Sequence, residues 1–464
     1  MSQEFRIESD AIGEVQVPVE AAWMAQTQRS LQNFPTGARM PLGIIRALLN
    51  IKRAAAMANK VNGSLAADMA DAIVATIDGL LQLDDVELRK DFPISVYQTG
   101  SGTQTNMNTN EVVAHLASEQ SGLQILPNDH VNMGQSSNDI FPTAMHIVAV
   151  EAVDNVEKSL AHLIDELRVK QDAFWETIKV GRTHLQDATP LTFGQELSGY
   201  ISALKHNQAN IDALRPQLYE LAMGGTAVGT GLNANTELGK AIAATVSEVY
   251  GFPFTAESNK FYGLANHTAM NTVHGAFKSL AADLMKIGND IRFLASGPRG
   301  GYGELSIPAN EPGSSIMPGK VNPTQVEALT MAAVRVFGND TTITMASSQG
   351  NFELNVFKPV MIDAFLESAE LMAGTMTGFA DRMIHGLDVK PARMRELLDN
   401  SLMTVTALSP HIGYHAAAEI AQAADKNGTT LKVAALESGD LTEEQYDEWM
   451  DFMAMTNLDR SNKE

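Results

Sequence analysis

The sequence contains no cysteine, which excludes disulfide bonds, thiol catalysis and cysteine metal sites. Positive charge is also scarce, because 33 Lys and Arg face 55 Asp and Glu, giving a net charge of −22. Nucleic acid and anionic membranes are therefore poor partners, and any anionic ligand needs a locally basic site. No apolar run is long enough to cross a bilayer, and residues 1–10 resemble neither a signal peptide nor a transit peptide. We expect a cytoplasmic protein.

Helical periodicity is abundant. Between residues 266 and 296, apolar side chains alternate steps of four and three, which is the spacing of a coiled-coil seam. The seam consists of Val273, Phe277, Leu280, Leu284, Ile287, Ile291 and Leu294. A similar pattern follows Pro142, which is typical of a first helical turn, and long helical patterns also cover residues 193–223, 323–346 and 360–384. These patterns predict an all-α fold with a long central bundle, and a narrow bundle favours association with further copies.

The two ends of the chain differ from this centre. The alternating residues before Pro18 predict a small strand pair at most. After Pro391 the helical patterns shorten, and Thr442 with Gln445 has the spacing of a capping box. We therefore predict three domains. They are a mostly helical N-terminal domain (1–137), a central long-helix domain (138–390) and a small helical C-terminal domain (391–464).

Three polar segments interrupt the helical pattern, at residues 98–108, 128–139 and 296–322. The first two are rich in hydroxyl and amide side chains. The third has more than twenty residues without periodicity and is rich in Gly and Pro, so we interpret it as a lid. Together, three donor-rich loops with one lysine suit a small dicarboxylate.

Residues 313–323, GSSIMPGKVNP, combine two hydroxyl groups, a lysine and an amide side chain within eleven positions. Asn322 and Pro323 are predicted to be the N-cap and first position of a helix, with Gln325 completing a capping box. The free N–H groups at that helix start, together with Lys320, predict a site for a carboxylate or phosphate. A hydroxyl beside that site could take part in the chemistry.

His184 is the histidine whose context best suits function, because it is flanked by Thr183 and Gln186 before a long helix. The alternative is an ordinary hydrogen-bonded loop histidine. His411 and His415 share a helix face, but no Glu completes a zinc-protease motif there. The segment 99–105 lacks the lysine of a P-loop, and no Gly-x-Ser-x-Gly elbow supports a serine hydrolase.

The GSSIMPGKVNP stretch resembles the signature of the fumarase/aspartase superfamily, whose members cleave C–O or C–N bonds and release fumarate. Within it, the chain is similar to the class II fumarases. The similarity lies in GRTHLQDATPLTFGQE at 181–196, GGTAVGTGLN at 224–233, QSSND at 135–139 and HIGY at 411–414. The resemblance covers essentially the whole chain.

The resemblance implies reversible hydration of fumarate to L-malate in the tricarboxylic acid cycle, through an aci-carboxylate carbanion. It also implies a homotetramer in which three subunits build each active site, with no metal or organic cofactor. The implied catalytic residues are Ser314, His184, Glu327 and Lys320. The implied substrate-binding residues are Ser101, Gly102, Thr103, Asn106, Ser136, Ser137, Asn138, Thr183, Ser315, Lys320, Val321 and Asn322.

The chain departs from the family pattern in two places. Leu126 replaces a histidine that is common before Pro127, Asn128 and Asp129, so a second anion site there is in question. Gly134 stands where serine is common. The nearest alternative activity is that of an aspartate ammonia-lyase, which Ser137 and Gly319 disfavour. A non-catalytic scaffold protein is the other alternative, but it predicts loss of the chemical residues, and they are all present.

Overall fold

The structure is a computed structural model that describes residues 4–460. Residues 1–3 and 461–464, which belong to the predicted terminal domains, lie outside the described residues. Helices dominate the described chain, and its strands form only two-stranded pairs, which agrees with the predicted all-α class. No described helix is both long and apolar enough to cross a membrane.

The helices fall into three groups along the chain. The first group comprises α1 (Ala25–Asn33), α2 (Leu42–Val61), α3 (Ala67–Leu81), α4 (Asp85–Asp91) and α5 (Thr103–Ser121). The central group comprises α6 (Ser137–Ala173), α7 (Phe193–Leu214), α8 (Leu238–Tyr250), α9 (Lys260–Ala265), α10 (Thr268–Leu294), α11 (Thr324–Ser347) and α12 (Lys358–Phe379). The last group comprises α13 (Pro391–Asn400), α14 (Ser409–Ile412), α15 (Tyr414–Asn427), α16 (Leu431–Ser438), α17 (Glu443–Trp449) and α18 (Phe452–Met455).

The strands are short and pair locally or over one crossover. The pairs are β1 (Phe5–Asp10) with β2 (Gly13–Pro18), β3 (Ile178–Thr183) with β4 (Gln186–Thr192), β5 (Glu220–Leu221) with β6 (Thr255–Ala256), and β7 (Leu305–Ser306) with β8 (Asp388–Val389). All are antiparallel except β5–β6. The first pair confirms the strand pair predicted before Pro18. Single-turn segments of other helix types are Pro127–Val131, Arg215–Leu218, Ala380–Ile384, Leu402–Ala407 and Leu458–Arg460.

The apolar seam predicted on the longest central patterns is buried. Every seam residue of α10, from Val273 to Leu294, is at most 6% exposed. Two predicted boundaries were wrong. Pro142 lies inside α6, which begins five residues earlier at Ser137. The first turn of that helix is polar, so the apolar periodicity did not indicate its start. The pattern from Phe193 to Met223 ends as an α-helix at Leu214, where Pro216 removes a backbone donor.

The described chain divides into two compact units by its internal contacts. Unit 1 contains residues 1–156, 210–278 and 335–371, and unit 2 contains residues 157–209, 279–334 and 372–464. The predicted division into three domains stays a prediction.

Each unit has its own apolar cluster. In unit 1, α2, α3 and α5 pack together through residues such as Leu49, Ile73 and Val112, which are all fully buried. In unit 2, the short C-terminal helices share a core that includes Leu408, Ile420 and Ala435. Thr442 and Gln445 form the predicted capping box at the start of α17.

Candidate active site

His184 lies at the tip of the β3–β4 hairpin. Thr183 pairs with Gln186, which leaves His184 and Leu185 as a two-residue loop. Both have positive φ, 57° and 60°, the conformation of a type I′ turn that normally selects Gly or Asn. A histidine held in this sparsely populated region is a strained residue of the kind that clusters at functional sites. His184 is exposed at this tip.

The loop end of this hairpin is held by a largely buried ion pair. Arg182 Nη1 lies 2.8 Å from Glu304 Oε2, and the Glu304 side chain is fully buried. The Arg182 guanidinium also stacks over the Tyr302 ring, 4.4 Å from its centroid. Because Arg182 is two residues from His184, the pair connects the hairpin to the segment that carries the predicted lid.

The tip of that segment folds back on itself. Gly313 N–H donates to the Lys320 carbonyl (3.0 Å), and the Asn322 side-chain amide donates to the Gly313 carbonyl (2.6 Å). A Cβ at Gly313 would lie 2.1 Å from the Lys320 oxygen, so only glycine fits. These bonds close residues 313–322 into a loop whose tip, Ile316 to Val321, is exposed.

The helix after this loop does not begin as predicted. α11 starts at Thr324, and the Pro323 carbonyl accepts from the N–H groups of Val326 and Glu327. Pro323 is therefore the N-cap, and the Asn322 amide is occupied by Gly313. The predicted Asn322 cap was wrong, because the helix begins one residue later and the Asn322 side chain is turned toward the Gly313 carbonyl, to which its Nδ2 donates.

Ser314 is held by its own loop. Its Oγ accepts from the backbone N–H groups of Ile316 (3.2 Å) and Met317 (3.0 Å). Two N–H donors aimed at one hydroxyl oxygen favour its ionised form. Lys320 is exposed on the same loop and Glu327 is exposed one turn into α11. No hydrogen bond joins Glu327 to His184 within the described part of this chain.

A second group of predicted residues lies in unit 1, at the start of α5. Ser101 Oγ and Thr103 Oγ1 are 2.7 Å apart, and Gly102 between them has φ 80°. A Cβ at Gly102 would overlap the Phe141 ring at 2.2 Å. The two hydroxyls therefore sit at a helix start that only glycine can form.

Two residues that the sequence did not single out, Val356 and Lys358, support this hydroxyl pair through Gly100. A Cβ at Gly100 would lie 1.4 Å from the Val356 carbonyl oxygen, and the Lys358 N–H donates to the Gly100 carbonyl (3.1 Å). The Lys358 side chain is buried and donates to the Asn355 carbonyl (2.6 Å). Burial lowers the pKa of Lys358 to about 7.

The segment 136–138 lies at the start of α6 and is organised by Asp139. This carboxylate accepts from the N–H groups of Ser136 (2.9 Å), Gly224 (3.1 Å) and Thr226 (2.9 Å). Burial raises the pKa of Asp139 to about 6, and these N–H donors oppose the rise. The Asn138 side chain donates to the Ala227 carbonyl (2.8 Å). The GGTAVG loop at residues 224–229 thus positions the donor segment.

Asn106 belongs to the same set in unit 1. Its Nδ2 lies 3.2 Å from Asn132 Oδ1 and 3.3 Å from Ser137 Oγ. The structure therefore brings two predicted donor segments into contact through Asn106 and Ser137. Thr183, His184, Ser314, Ser315, Lys320, Val321, Asn322 and Glu327 belong to unit 2.

The comparisons with known proteins cover nearly the whole chain. A family model described as "Lyase" matches residues 13–338, and one described as "Fumarase C C-terminus" matches residues 405–457. A fumarate hydratase class II of Brucella suis biovar 1 is 54% identical over 452 residues, with 95% of this chain and 96% of the relative covered. A fumarate hydratase class II of Nitrosomonas europaea is 52% identical over 463 residues, with 98% and 100% covered.

The chain belongs to the class II fumarase family. It is therefore an enzyme, a lyase. A solved structure, the recombinant class II fumarase from Schistosoma mansoni, superposes with a TM-score of 0.94 at 42% identity, covering 98% of this chain and 99% of that one. The predicted helical fold of the fumarase/aspartase type is confirmed.

The predicted second anion site of this class II fumarase family member lies in the single helical turn Pro127–Val131. The Leu126 N–H donates to His130 Nδ1 (2.9 Å), and Leu126, Asn128 and Asp129 are exposed. Within this turn, His130 is therefore hydrogen-bonded to the backbone through its Nδ1 atom. Whether an anion binds there stays a prediction.

His411, considered above as a metal ligand, packs against an aromatic ring. His411 stacks on Trp449 with centroids 4.1 Å apart, which accounts for its place on α14. Within residues 4–460, no group of three or more His, Asp or Glu side chains is arranged to hold a metal ion.

Proposed function

We propose that this protein interconverts fumarate and L-malate by reversible hydration. The relatives that it matches over nearly their full length are named fumarate hydratases class II. The single observation that carries the mechanism is the Ser314 hydroxyl, which accepts two backbone N–H donors on an exposed loop.

In the dehydration of L-malate, the ionised hydroxyl of Ser314 acts as the base and removes the proton from C3. A serine is a weak base unless its oxyanion is stabilised, and the N–H groups of Ile316 and Met317 supply that stabilisation. The electron pair left on C3 spreads into the adjacent carboxylate and forms an aci-carboxylate with two negative charges.

Stabilising that dianion is the main energetic task. A preorganised donor typically contributes about 3 kcal/mol to such a transition state. Lys320 and the start of α11 are the proposed donors, and loop closure by Asn322 and Gly313 holds them near Ser314. The overall charge of −22 opposes an anionic ligand, so this local positive potential is needed.

The C2 hydroxyl then leaves as water on the opposite face, which makes the elimination anti. His184 is the proposed proton donor, oriented by Glu327. Because no bond joins them within the described chain, we infer that the pair forms between subunits. The strained tip of the β3–β4 hairpin presents His184 for such a contact.

The remaining donors bind the two carboxylates. They are Ser101, Gly102, Thr103, Asn106, Ser136, Ser137, Asn138, Thr183, Ser315, Val321 and Asn322. We propose a homotetramer in which three subunits contribute these loops to each site. We also propose that the enzyme acts in the tricarboxylic acid cycle in the cytoplasm, and that it needs no metal or organic cofactor.

An assay of fumarate absorbance tests the activity directly. With L-malate as substrate the absorbance should rise, and with fumarate it should fall to the same equilibrium. L-aspartate is the control, because an ammonia-lyase shares the carbanion step. Turnover of aspartate without turnover of malate would refute the proposed function.

A further inference from the structure

Lys52 in α2 is fully buried, which is rare for lysine. Its Nζ donates to two neutral amide oxygens, Asn132 Oδ1 (3.3 Å) and Gln135 Oε1 (3.2 Å). An ammonium group taken out of water is costly unless it is well paired. The charged group that acts on it is Asp139, which is itself occupied by backbone N–H donors.

The Lys52 contact extends to the substrate-binding donors. Asn132 Oδ1 also accepts from Asn106 Nδ2 (3.2 Å) and Asn110 Nδ2 (3.2 Å). With three donors around it, this position must be occupied by the amide oxygen. Lys52 therefore fixes the orientation of the Asn132 amide, and through it the orientation of Asn106.

Asn106 Nδ2, which donates to Asn132, also lies within hydrogen-bond distance of Ser137 Oγ. The donor segment of Asn106 and the donor segment of Ser137 therefore both depend on the orientation of the Asn106 amide. Asn106 Oδ1 is buried without a partner in the described chain. Gln135, the other Lys52 partner, directly precedes Ser136 in the second segment. The buried Lys52 side chain thus supports both donor segments, through Asn132 and Gln135.

The charge of Lys52 has a second consequence. A charge in a buried, low-dielectric position is screened less than an exposed one. Lys320 is exposed on a loop, whereas Lys52 is buried next to the donors themselves. In a chain of net charge −22, such a charge offsets repulsion of a dianion.

We propose that Lys52 is a positioning residue of the dicarboxylate site, which orders Asn106 and the Ser136–Asn138 segment through Asn132 and Gln135 and supplies buried positive charge to the bound dianion. The proposal rests on the proposed function. Burial lowers the pKa of Lys52 to about 7, so its charge is lost as the pH rises through that value. A bound dianion favours the protonated form.

The test is the full-length enzyme with Lys52→Met, which keeps length and removes charge. Lys60→Met is the matched control, because Lys60 lies on the same helix and pairs with Asp71 at the surface. Kinetics with L-malate and fumarate give KM and kcat, and titration with succinate, a dicarboxylate that cannot react, gives Kd. Each is measured below and above pH 7.

We expect Lys52→Met to raise KM and the succinate Kd about tenfold, with a smaller loss in kcat, because a hydrogen-bonded charge is removed from behind the binding donors. Wild-type affinity for succinate should weaken as the pH rises through about 7, and this step should be smaller in Lys52→Met, in which Lys358, whose pKa burial also lowers to about 7, still titrates. Lys60→Met should match the wild type in both respects.

Unchanged KM, Kd and pH profile in a folded Lys52→Met enzyme would overturn the proposal. If that variant does not fold by circular dichroism, Asn132→Ala breaks the same connection while keeping the charge. Wild-type KM in Asn132→Ala would then overturn it equally. A wild-type enzyme that binds succinate but does not turn over malate would refute the proposed function and leave the Lys52 comparison valid.

Discussion

Arg182 Nη1 and Glu304 Oε2 lie 2.8 Å apart, and this pair joins the hairpin of His184 to the segment that ends in the Ser314 loop. Glu304 is fully buried and its second oxygen has no hydrogen bond within the described chain. Its backbone is fixed too, because its N–H donates to the Leu294 carbonyl (2.9 Å) and its carbonyl accepts from Lys390 (2.8 Å). The carboxylate is therefore rigid, and Arg182 is its sole described ion-pair partner.

Replacing Arg182 should lower the stability of the folded protein. Arg182→Met leaves Glu304 as a buried, unpaired charge, so we expect the free energy of unfolding to fall by about 3–5 kcal/mol. Activity should fall as well, since the hairpin loses its anchor. Chemical denaturation measures the first effect. Arg168→Met is the control, because its pair with Asp165 is exposed and should contribute at most about 1 kcal/mol. Equal stability of the two variants would contradict the prediction.

Gly102→Ala tests the hydroxyl pair at the start of α5. Its φ is 80°, and a Cβ would lie 2.2 Å from the Phe141 ring. Gly122→Ala is a matched control, because its φ is 73° and nothing lies within 4 Å of its Cβ position. Both variants should lose about 1 kcal/mol from backbone strain. Gly102→Ala should lose a further 1–3 kcal/mol, roughly, from overpacking and should raise KM. Similar melting temperatures for the two would rule out the clash.

The sequence predicts the helices well because their apolar seams repeat over many turns. The burial of Val273 through Leu294 follows from spacing alone. The residues of the Ser314 loop could be found as well, since glycines, hydroxyls and a lysine are concentrated in eleven positions. Functional residues that lie close together in the sequence, as these do, can be identified without knowledge of long-range contacts.

Long-range partners could not be predicted. Lys52 lies in an apolar, alanine-rich helix and would be expected to reach solvent, yet it bonds Asn132, eighty residues away. Gly100 requires glycine because of Val356, which no local pattern indicates. The β3–β4 hairpin was missed because His184 and Leu185 are not residues that favour a type I′ turn. Tertiary contacts overrode local preference at each position.

Stability should fall in mild acid because of His267. It is buried, neither ring nitrogen has a hydrogen bond within the described chain, and burial holds its pKa well below the usual histidine value of about 6.5. Well above pH 6.5 the residue is neutral in both the folded and the unfolded chain. Below it, the unfolded chain binds a proton that the folded chain does not, so stability falls by at most about 1.4 kcal/mol per pH unit.

His267→Gln cannot take up that proton. Its free energy of unfolding, measured by denaturant titration at several pH values, should therefore lose less between pH 6.5 and lower pH than that of the wild type. The difference between the two curves isolates His267 from Asp139, whose raised pKa has the opposite effect. Parallel curves would show that His267 is protonated in the folded protein.

Ser314→Ala should separate chemistry from binding. The variant removes the oxygen that accepts from Ile316 and Met317 but leaves the loop closed by Gly313 and Asn322. If the alkoxide is the base, kcat should fall by about three orders of magnitude or more, in line with loss of an activated nucleophilic or basic group. Succinate should still bind within a few-fold of the wild type, because the carboxylate donors remain. Ser438→Ala, at the end of α16, is the control and should be fully active. Near-normal turnover by Ser314→Ala would remove Ser314 from the role of base and direct attention to His184 for both proton transfers.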